Sequence, residues 1–154
     1  MLGVSPMKTI VLYSTKTGNT QKIAQAIASE TNAELVQVTN PGPPYGVDLG
    51  DYDLIFVGTG IRAGNPFPEM VSYLNTIDLH DSKSFAIFLT WGGAGKTNET
   101  VSGKVRKILE SKNQKVVDGF FSSYGKWNMR KSSRPNENDI NAAKTWAQTI
   151  IKNF

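Results

Sequence analysis

An unbroken apolar run, Thr9-Ile10-Val11-Leu12-Tyr13, empties directly into the hydroxyl-rich loop Ser14-Thr15-Lys16-Thr17-Gly18-Asn19-Thr20. From Asn19 onward, apolar residues recur at Ile23, Ala24 and Ile27. Continuous rather than alternating hydrophobicity is the pattern of a strand covered on both faces, and the spacing that follows is helical. The loop therefore joins a strand's carboxyl end to a helix's amino end. There the first helical N–H groups lack intrahelical partners and the helix dipole is positive, a combination that holds an anion. Ser14, Thr15, Thr17 and Thr20 add hydroxyl donors, and Gly18 lets the backbone close in.

The loop's composition narrows the anion. A dinucleotide pyrophosphate is usually held by G-x-G-x-x-G, and this turn has one glycine. A nucleoside triphosphate requires G-x-x-x-x-G-K-[ST], whereas Lys16 stands in the middle of the loop. A terminal monophosphate remains and suits many neutral donors. The same residues would also serve as an ordinary polar helix cap.

The pattern Val11-Leu12-Tyr13-x-Thr15-x-x-Gly18-x-Thr20-x-x-x-Ala24-x-x-Ile27 resembles the signature of the flavodoxin family. The likeness continues through Asp53-Leu54-Ile55-Phe56-Val57-Gly58 to Arg134-Pro135-Asn136-Glu137 before the last helical stretch, leaving out only residues 1–6. Those six read as a short N-terminal extension to a single domain over residues 7–154.

Strand and helix patterns alternate along the chain. Ala33 to Val38 reads as a second strand, and the Pro- and Gly-rich segment Pro41 to Gly46 as a loop. A third strand follows over 53–58. Phe67, Met70, Val71, Leu74 and Ile77 mark a helix, and Phe85 to Leu89 a fourth strand. Val101, Val105, Ile108 and Leu109 mark another helix, Lys115 to Phe121 a fifth strand, and Ile140, Ala143, Ala147 and Ile150 the last helix. The fold class is thus α/β: one doubly wound, five-stranded parallel sheet of order 2-1-3-4-5 with helices on both faces. In that order a ligand belongs outside the carboxyl ends of strands one, three and four.

Two of those ends are glycine-rich loops bearing a bulky side chain: Gly58-Thr59-Gly60-Ile61-Arg62-Ala63-Gly64-Asn65-Pro66 and Thr90-Trp91-Gly92-Gly93-Ala94-Gly95. They resemble the loops that sandwich the isoalloxazine ring in flavodoxins, with the first loop holding the FMN phosphate. The resemblance therefore implies an FMN site of Ser14, Thr15, Lys16, Thr17, Gly18, Asn19 and Thr20 for the phosphate. The ring would lie between Thr59, Gly60, Ile61, Arg62, Ala63 and Gly64 on one side and Thr90, Trp91, Gly92, Gly93 and Gly95 on the other. Trp91 is the ring-stacking candidate, an aromatic face giving large contact area at low entropy cost; a partly buried core tryptophan is the alternative. In this family a loop peptide beside flavin N5 tunes the redox potentials, which implicates Ala63-Gly64 or Gly64-Asn65. Arg62 departs from the apolar or aromatic residue common there, and could stack on the ring or pair with the reduced flavin's charge.

Other chemistries lack their residues. The chain has no cysteine, which excludes thiol redox chemistry, iron–sulfur clusters and thiolate zinc sites. Its single histidine, His80, sits in the polar run Asp78 to Lys83 and reads as a solvated loop residue. Thr90 to Thr97 misses the Walker A loop by one glycine, and the downstream acid, Asp118, is poorly placed for magnesium. A response-regulator receiver would need acids where Ser14-Thr15 and Gly58-Thr59 stand. No apolar stretch approaches the length of a membrane span, and the first residues lack a secretory pattern, so the chain reads as cytoplasmic.

Charge sets this chain apart from the family. Flavodoxins are usually strongly acidic, whereas here seventeen Lys and Arg face thirteen Asp and Glu. Lys126, Arg130, Lys131 and Arg134 cluster with Tyr124 and Trp127. No nucleic-acid motif accompanies them, so they read as a docking surface for redox partners with acidic surfaces. The resemblance implies an FMN-dependent carrier of low-potential electrons, a monomer or weak dimer. The alternative is a small FMN-dependent reductase or oxidase of a quinone-type acceptor, similar to the protoporphyrinogen-oxidising relatives of flavodoxin; a flavin-free interaction module is the third class.

Overall fold

The computed structural model describes residues 7–39, 46–126 and 133–154. The expected N-terminal extension, most of the Pro41–Gly46 loop, and Trp127, Arg130 and Lys131 of the basic cluster lie outside the described residues. The elements run β1 (Thr9–Tyr13), α1 (Asn19–Thr31), β2 (Glu34–Gln37), a 3₁₀ turn (Leu49–Asp51), β3 (Leu54–Arg62), β4 (Asn65–Pro66) and α2 (Pro68–Asn75). They continue through β5 (Ser84–Trp91), α3 (Thr97–Ser111), β6 (Lys115–Val116), β7 (Phe121–Tyr124) and α4 (Glu137–Lys152).

The sheet order is β2-β1-β3-β5-β6, with β7 also on β5 and β4 folded back on β3. Apart from the antiparallel β3–β4 pair, all pairings are parallel. This is the doubly wound sheet expected from sequence, and β1 is its switch point. The unbroken apolar strands follow from having two covered faces. Ile10 and Leu12, Ile55 and Val57, and Phe85, Ile87 and Leu89 pack into the core beneath α2 and α3. Val11 and Tyr13, Leu54 and Phe56, and Ala86 and Phe88 pack into the opposite core with α1 and α4. Between strands, Gly58 is required by close approach: a Cβ there would lie 2.1 Å from two ring carbons of Phe88.

Two strands differ from expectation. The expected fifth strand, Lys115 to Phe121, is two short strands pairing with opposite ends of β5. Asp118 and Gly119 carry the break, with Gly119 at φ +75°, a local turn preference that overrides the apolar residues around it. Arg106 of α3 reaches the freed Val117 carbonyl at 2.8 Å. The third strand, expected to end at Gly58, runs on to Arg62 and returns through β4. Ala63 (φ 50°) and Gly64 (φ 76°) form the two-residue turn between them, the positive-φ pair of a type I′ hairpin.

Candidate functional site

The carboxyl ends of β1, β3 and β5 open onto a cavity of about 640 Å³. Its floor is the loop between β1 and α1. Gly18 sits at φ 89° just before α1, which begins without a side-chain cap, so its first amides are not claimed by a capping side chain. The Thr15 hydroxyl accepts the Gly18 N–H at 3.0 Å and closes the loop. Lys16 crosses to Glu69 of α2, its ammonium 3.1 Å from the carboxylate and above the Phe67 ring. Behind the floor, the buried Ser14 hydroxyl donates to Thr59 Oγ1. Thr59 in turn donates to the Gly60 carbonyl and accepts the Phe67 N–H.

One wall is the β3–β4 hairpin, from Gly60 to Gly64, and the other is the end of β5 from Thr90 to Ala94. Both tip carbonyls of the hairpin already have partners. The Asn65 amide donates to Ala63 O at 3.1 Å, and Lys104 Nζ of α3 donates to Gly64 O at 3.0 Å and to Asn65 Oδ1 at 2.7 Å. On the β5 side, Trp91 stacks on Tyr124, with ring centroids 5.7 Å apart and planes at 19°. The Arg134 guanidinium lies over Tyr124 at 5.1 Å and makes a two-pronged bond to Asp139. Burial alone would raise the Asp139 carboxyl. Bonds from Arg134 and from the Asn136 backbone N–H outweigh that and hold it below its ordinary value.

Of the residues expected to bind a cofactor, Thr15, Lys16, Thr17, Asn19, Thr20, Gly60, Ile61, Arg62, Ala63, Gly64, Thr90, Trp91, Gly92 and Gly93 line the cavity together. Ser14, Gly18, Thr59 and Gly95 do not; Ser14 and Thr59 are fully buried behind the floor. Several lining side chains are tied to one another. Thr20 and Thr90 share a 2.7 Å bond between their hydroxyls, and the Asn19 amide donates to the Lys126 carbonyl at 2.9 Å. Sequence reasoning left Phe67, Ala94, Thr97, Gly125 and Lys126 out of the site. Phe67 shows helical periodicity and so reads as core, although its ring closes over Gly60, where a Cβ would meet it at 2.4 Å. Gly125 and Lys126 arrive from more than a hundred residues along the chain. The signal for them is Gly125 itself, whose missing Cβ leaves room for the Asn19 side chain. Lys96, the lysine of the near-Walker segment, is exposed and outside the cavity lining.

Among the described residues the lining carries three cations, Lys16, Arg62 and Lys126, and no carboxylate. The family model for the flavodoxin domain matches residues 10–144. This chain belongs to the flavodoxin family. This flavodoxin-family chain is 32% identical over 155 residues to an uncharacterized protein of Methanocaldococcus jannaschii, covering 96% of this chain and all of that protein. It is 31% identical over 143 residues to the flavodoxin-like domain-containing protein BilS of Clostridioides difficile, covering 85% of this chain and 78% of BilS. Solved flavodoxin folds superpose on it at low identity. The oxidised flavodoxin 1 of Bacillus cereus gives a TM-score of 0.73 at 18% identity, over 96% of this chain and 99% of that one. A WrbA-like protein of Agrobacterium tumefaciens gives 0.74 at 16%, over 94% of each. Among the described residues, no helix is long and apolar enough to cross a membrane, and no cluster of metal-ligating side chains occurs.

Proposed function

We propose that the cavity holds one FMN and that the protein carries electrons between redox partner proteins. The observation that carries this reading is the floor of the cavity, where an α1 amino terminus without a side-chain cap meets a hydroxyl-rich loop at the sheet's switch point. The site's chemistry fits the group: donors and cations where a phosphate would sit, glycine-rich walls on both sides, and no carboxylate among the described lining residues.

Thr15, Lys16, Thr17, Thr20 and the backbone from Gly18 to Thr20 would hold the phosphate. Ser14 and Thr59 act from behind, fixing the loop to β3, and Asn19 holds the Lys126 carbonyl in place. The hairpin from Gly60 to Gly64 and the Thr90–Gly93 end of β5, with Gly95 beyond it, would enclose the ring and exclude water from its faces. Trp91, which lines the cavity and stacks on Tyr124, would supply apolar aromatic surface to the ring. When bound, FMN supplies electron transfer in one- or two-electron steps. The partners would be redox proteins of the cytoplasm with acidic surfaces, this chain acting as a monomer or weak dimer.

A second reading, a two-electron reductase of a quinone-type acceptor, is favoured by the three lining cations. Cations favour an anion in the cavity and so favour full reduction of whatever is bound there. A reductive titration of the FMN-loaded protein, excess flavin removed, tests both readings. One FMN per chain reduced in two resolved one-electron steps supports the carrier. Reduction in a single two-electron step, with turnover of a quinone, supports the reductase. Protein that retains no FMN refutes both.

A further inference from the structure

The β3–β4 hairpin has two sides. Ile61, Arg62, Ala63 and Gly64 line the cavity, while Asn65 and Pro66 form the head of a separate open groove of about 660 Å³ between α2 and α3. The floor and edges of that groove come from Pro68, Val71 and Ser72 of α2 and Lys104, Lys107 and Ile108 of α3. On each helix these positions follow the three- and four-residue spacing of one outward face.

The groove has an unusual charge make-up for an exposed surface. Glu69 is the one charged residue of α2, and it is turned away, buried against Lys16. The outward face of α2 is therefore uncharged, and among the described residues the groove carries two lysines and no carboxylate. Lys104 is engaged by the hairpin. Among the described residues Lys107 makes no hydrogen bond or ion pair, and Arg62 stands exposed at the hairpin's other edge. An uncharged, partly apolar floor rimmed by cations is the anatomy of a protein contact, apolar centre within polar rim. Small-molecule sites are instead enclosed, with converging polar groups.

We infer that this α2–α3 groove, rather than the basic cluster around Lys126, whose Arg134 is already paired with Asp139, is the docking surface for the redox partner, and that the partner presents carboxylates around an apolar patch. The inference deepens the electron-carrier reading and rests on it. Charge complementarity selects an acidic partner. Continuity with the cavity gives the location its use, since a protein seated in the groove rests on the outer side of the hairpin whose inner side walls the cofactor cavity. The surface lies on the flank of the cavity and leaves the cavity mouth open.

The test is a titration of the ¹⁵N-labelled, FMN-loaded protein with an acidic [2Fe–2S] ferredoxin at low ionic strength, with basic cytochrome c as the opposite-charge control. Amide perturbations confined to residues 65–72 and 104–108 are expected with the ferredoxin and absent with cytochrome c. Raising the salt should abolish them, because the Debye length shrinks to roughly 3 Å at molar salt. The double variant Ser72→Glu/Lys107→Glu should weaken binding on the order of tenfold, whereas Lys115→Glu/Lys152→Glu, on other surfaces, should not. FMN retention after loading is scored separately from docking: protein that binds ferredoxin at the groove but retains no added FMN sinks the cofactor reading alone, whereas protein that retains FMN but shows no groove perturbation sinks the docking inference alone. Perturbations that map elsewhere, equal loss in the control variant, or no ferredoxin binding at low salt would overturn the inference.

Discussion

Removing the Asp139 carboxylate should destabilise the protein by an amount that depends on pH in a defined direction. Asp139 is 8% exposed, and its side chain does two jobs. It accepts the Asn136 backbone N–H at 2.8 Å as half of a capping box for α4, and it takes both prongs of Arg134, itself about a third exposed. In Asp139→Ala the other half of the box survives, since the Asn136 side chain still accepts the backbone N–H of residue 139. The lost cap bond costs about 1 kcal/mol. The ion pair, screened on the Arg134 side, adds about 1 kcal/mol more. A loss of about 2 kcal/mol lowers the melting temperature of a domain this size by roughly 4–8 °C. The folded-state pKa of Asp139 is lowered, while the unfolded value is about 3.9. Its contribution is therefore complete above the unfolded value and lost as pH falls through the lower folded one. Urea unfolding followed by far-UV circular dichroism should show the full wild-type-to-Ala gap near neutrality and a steadily smaller gap below about pH 4. Asp139→Asn keeps a cap acceptor without the charge and should fall between the two. A gap that stays constant down to about pH 3, or a loss below about 0.5 kcal/mol at neutrality, would refute this account of the α4 terminus.

Gly60→Ala places a Cβ 2.4 Å from Phe67 Cζ, in a region where Phe67 is buried; overpacking should cost about 1–3 kcal/mol in thermal unfolding and reduce FMN retention. Ala63→Gly relieves a non-glycine residue at φ 50° and should raise stability by up to about 1 kcal/mol, the strain released less the extra freedom of the unfolded glycine, as read by the urea midpoint. Glu69→Gln removes the charge paired with Lys16 at 3.1 Å while keeping its shape. The freed ammonium should then tighten binding of inorganic phosphate by about two- to fivefold in a calorimetric titration, an effect that salt diminishes.

The sheet was legible because burial on both faces leaves a continuous mark on sequence. Each of Thr9 to Tyr13 is buried, so the strand could be read without deciding which residues face which side. Where the mark failed, local backbone preference was the cause. Gly58-Thr59-Gly60 looks like the start of a loop, yet β3 passes through it, because Gly58 makes room for Phe88 and Gly60 for Phe67. These glycines serve packing rather than turning, and composition alone does not separate the two uses. Conversely, the Asp118-Gly119 break lies inside an apolar stretch that reads as one strand, and the Arg106 contact that satisfies it comes from α3.

The site was legible as a loop and only partly as a charge distribution. Reading Ser14 to Thr20 as donors to an anion treats them as free, whereas the fold spends some on itself: Ser14 donates to Thr59, Asn19 donates to the Lys126 carbonyl and Thr20 shares a bond with Thr90, while Thr15 accepts the Gly18 N–H and keeps its own O–H to donate. The anion-binding capacity therefore falls more heavily on the α1 backbone amides, the Thr15 and Thr17 hydroxyls and the cations than the count of hydroxyls implies. Among the cations, the charge of Lys16 is matched by Glu69, 3.1 Å away. Arg62 and Lys126 have no ion-pair partner among the described residues. The field that would act on a negative charge formed in the cavity thus comes chiefly from these two, one on the hairpin and one after β7. If the cavity holds FMN as proposed, whether electrons would leave it singly or in pairs turns on Arg62 and Lys126 more than on the signature loop. Neutralising both while leaving the loop intact should separate the two one-electron midpoint potentials further, because each positive charge removed makes the second, charge-adding reduction harder.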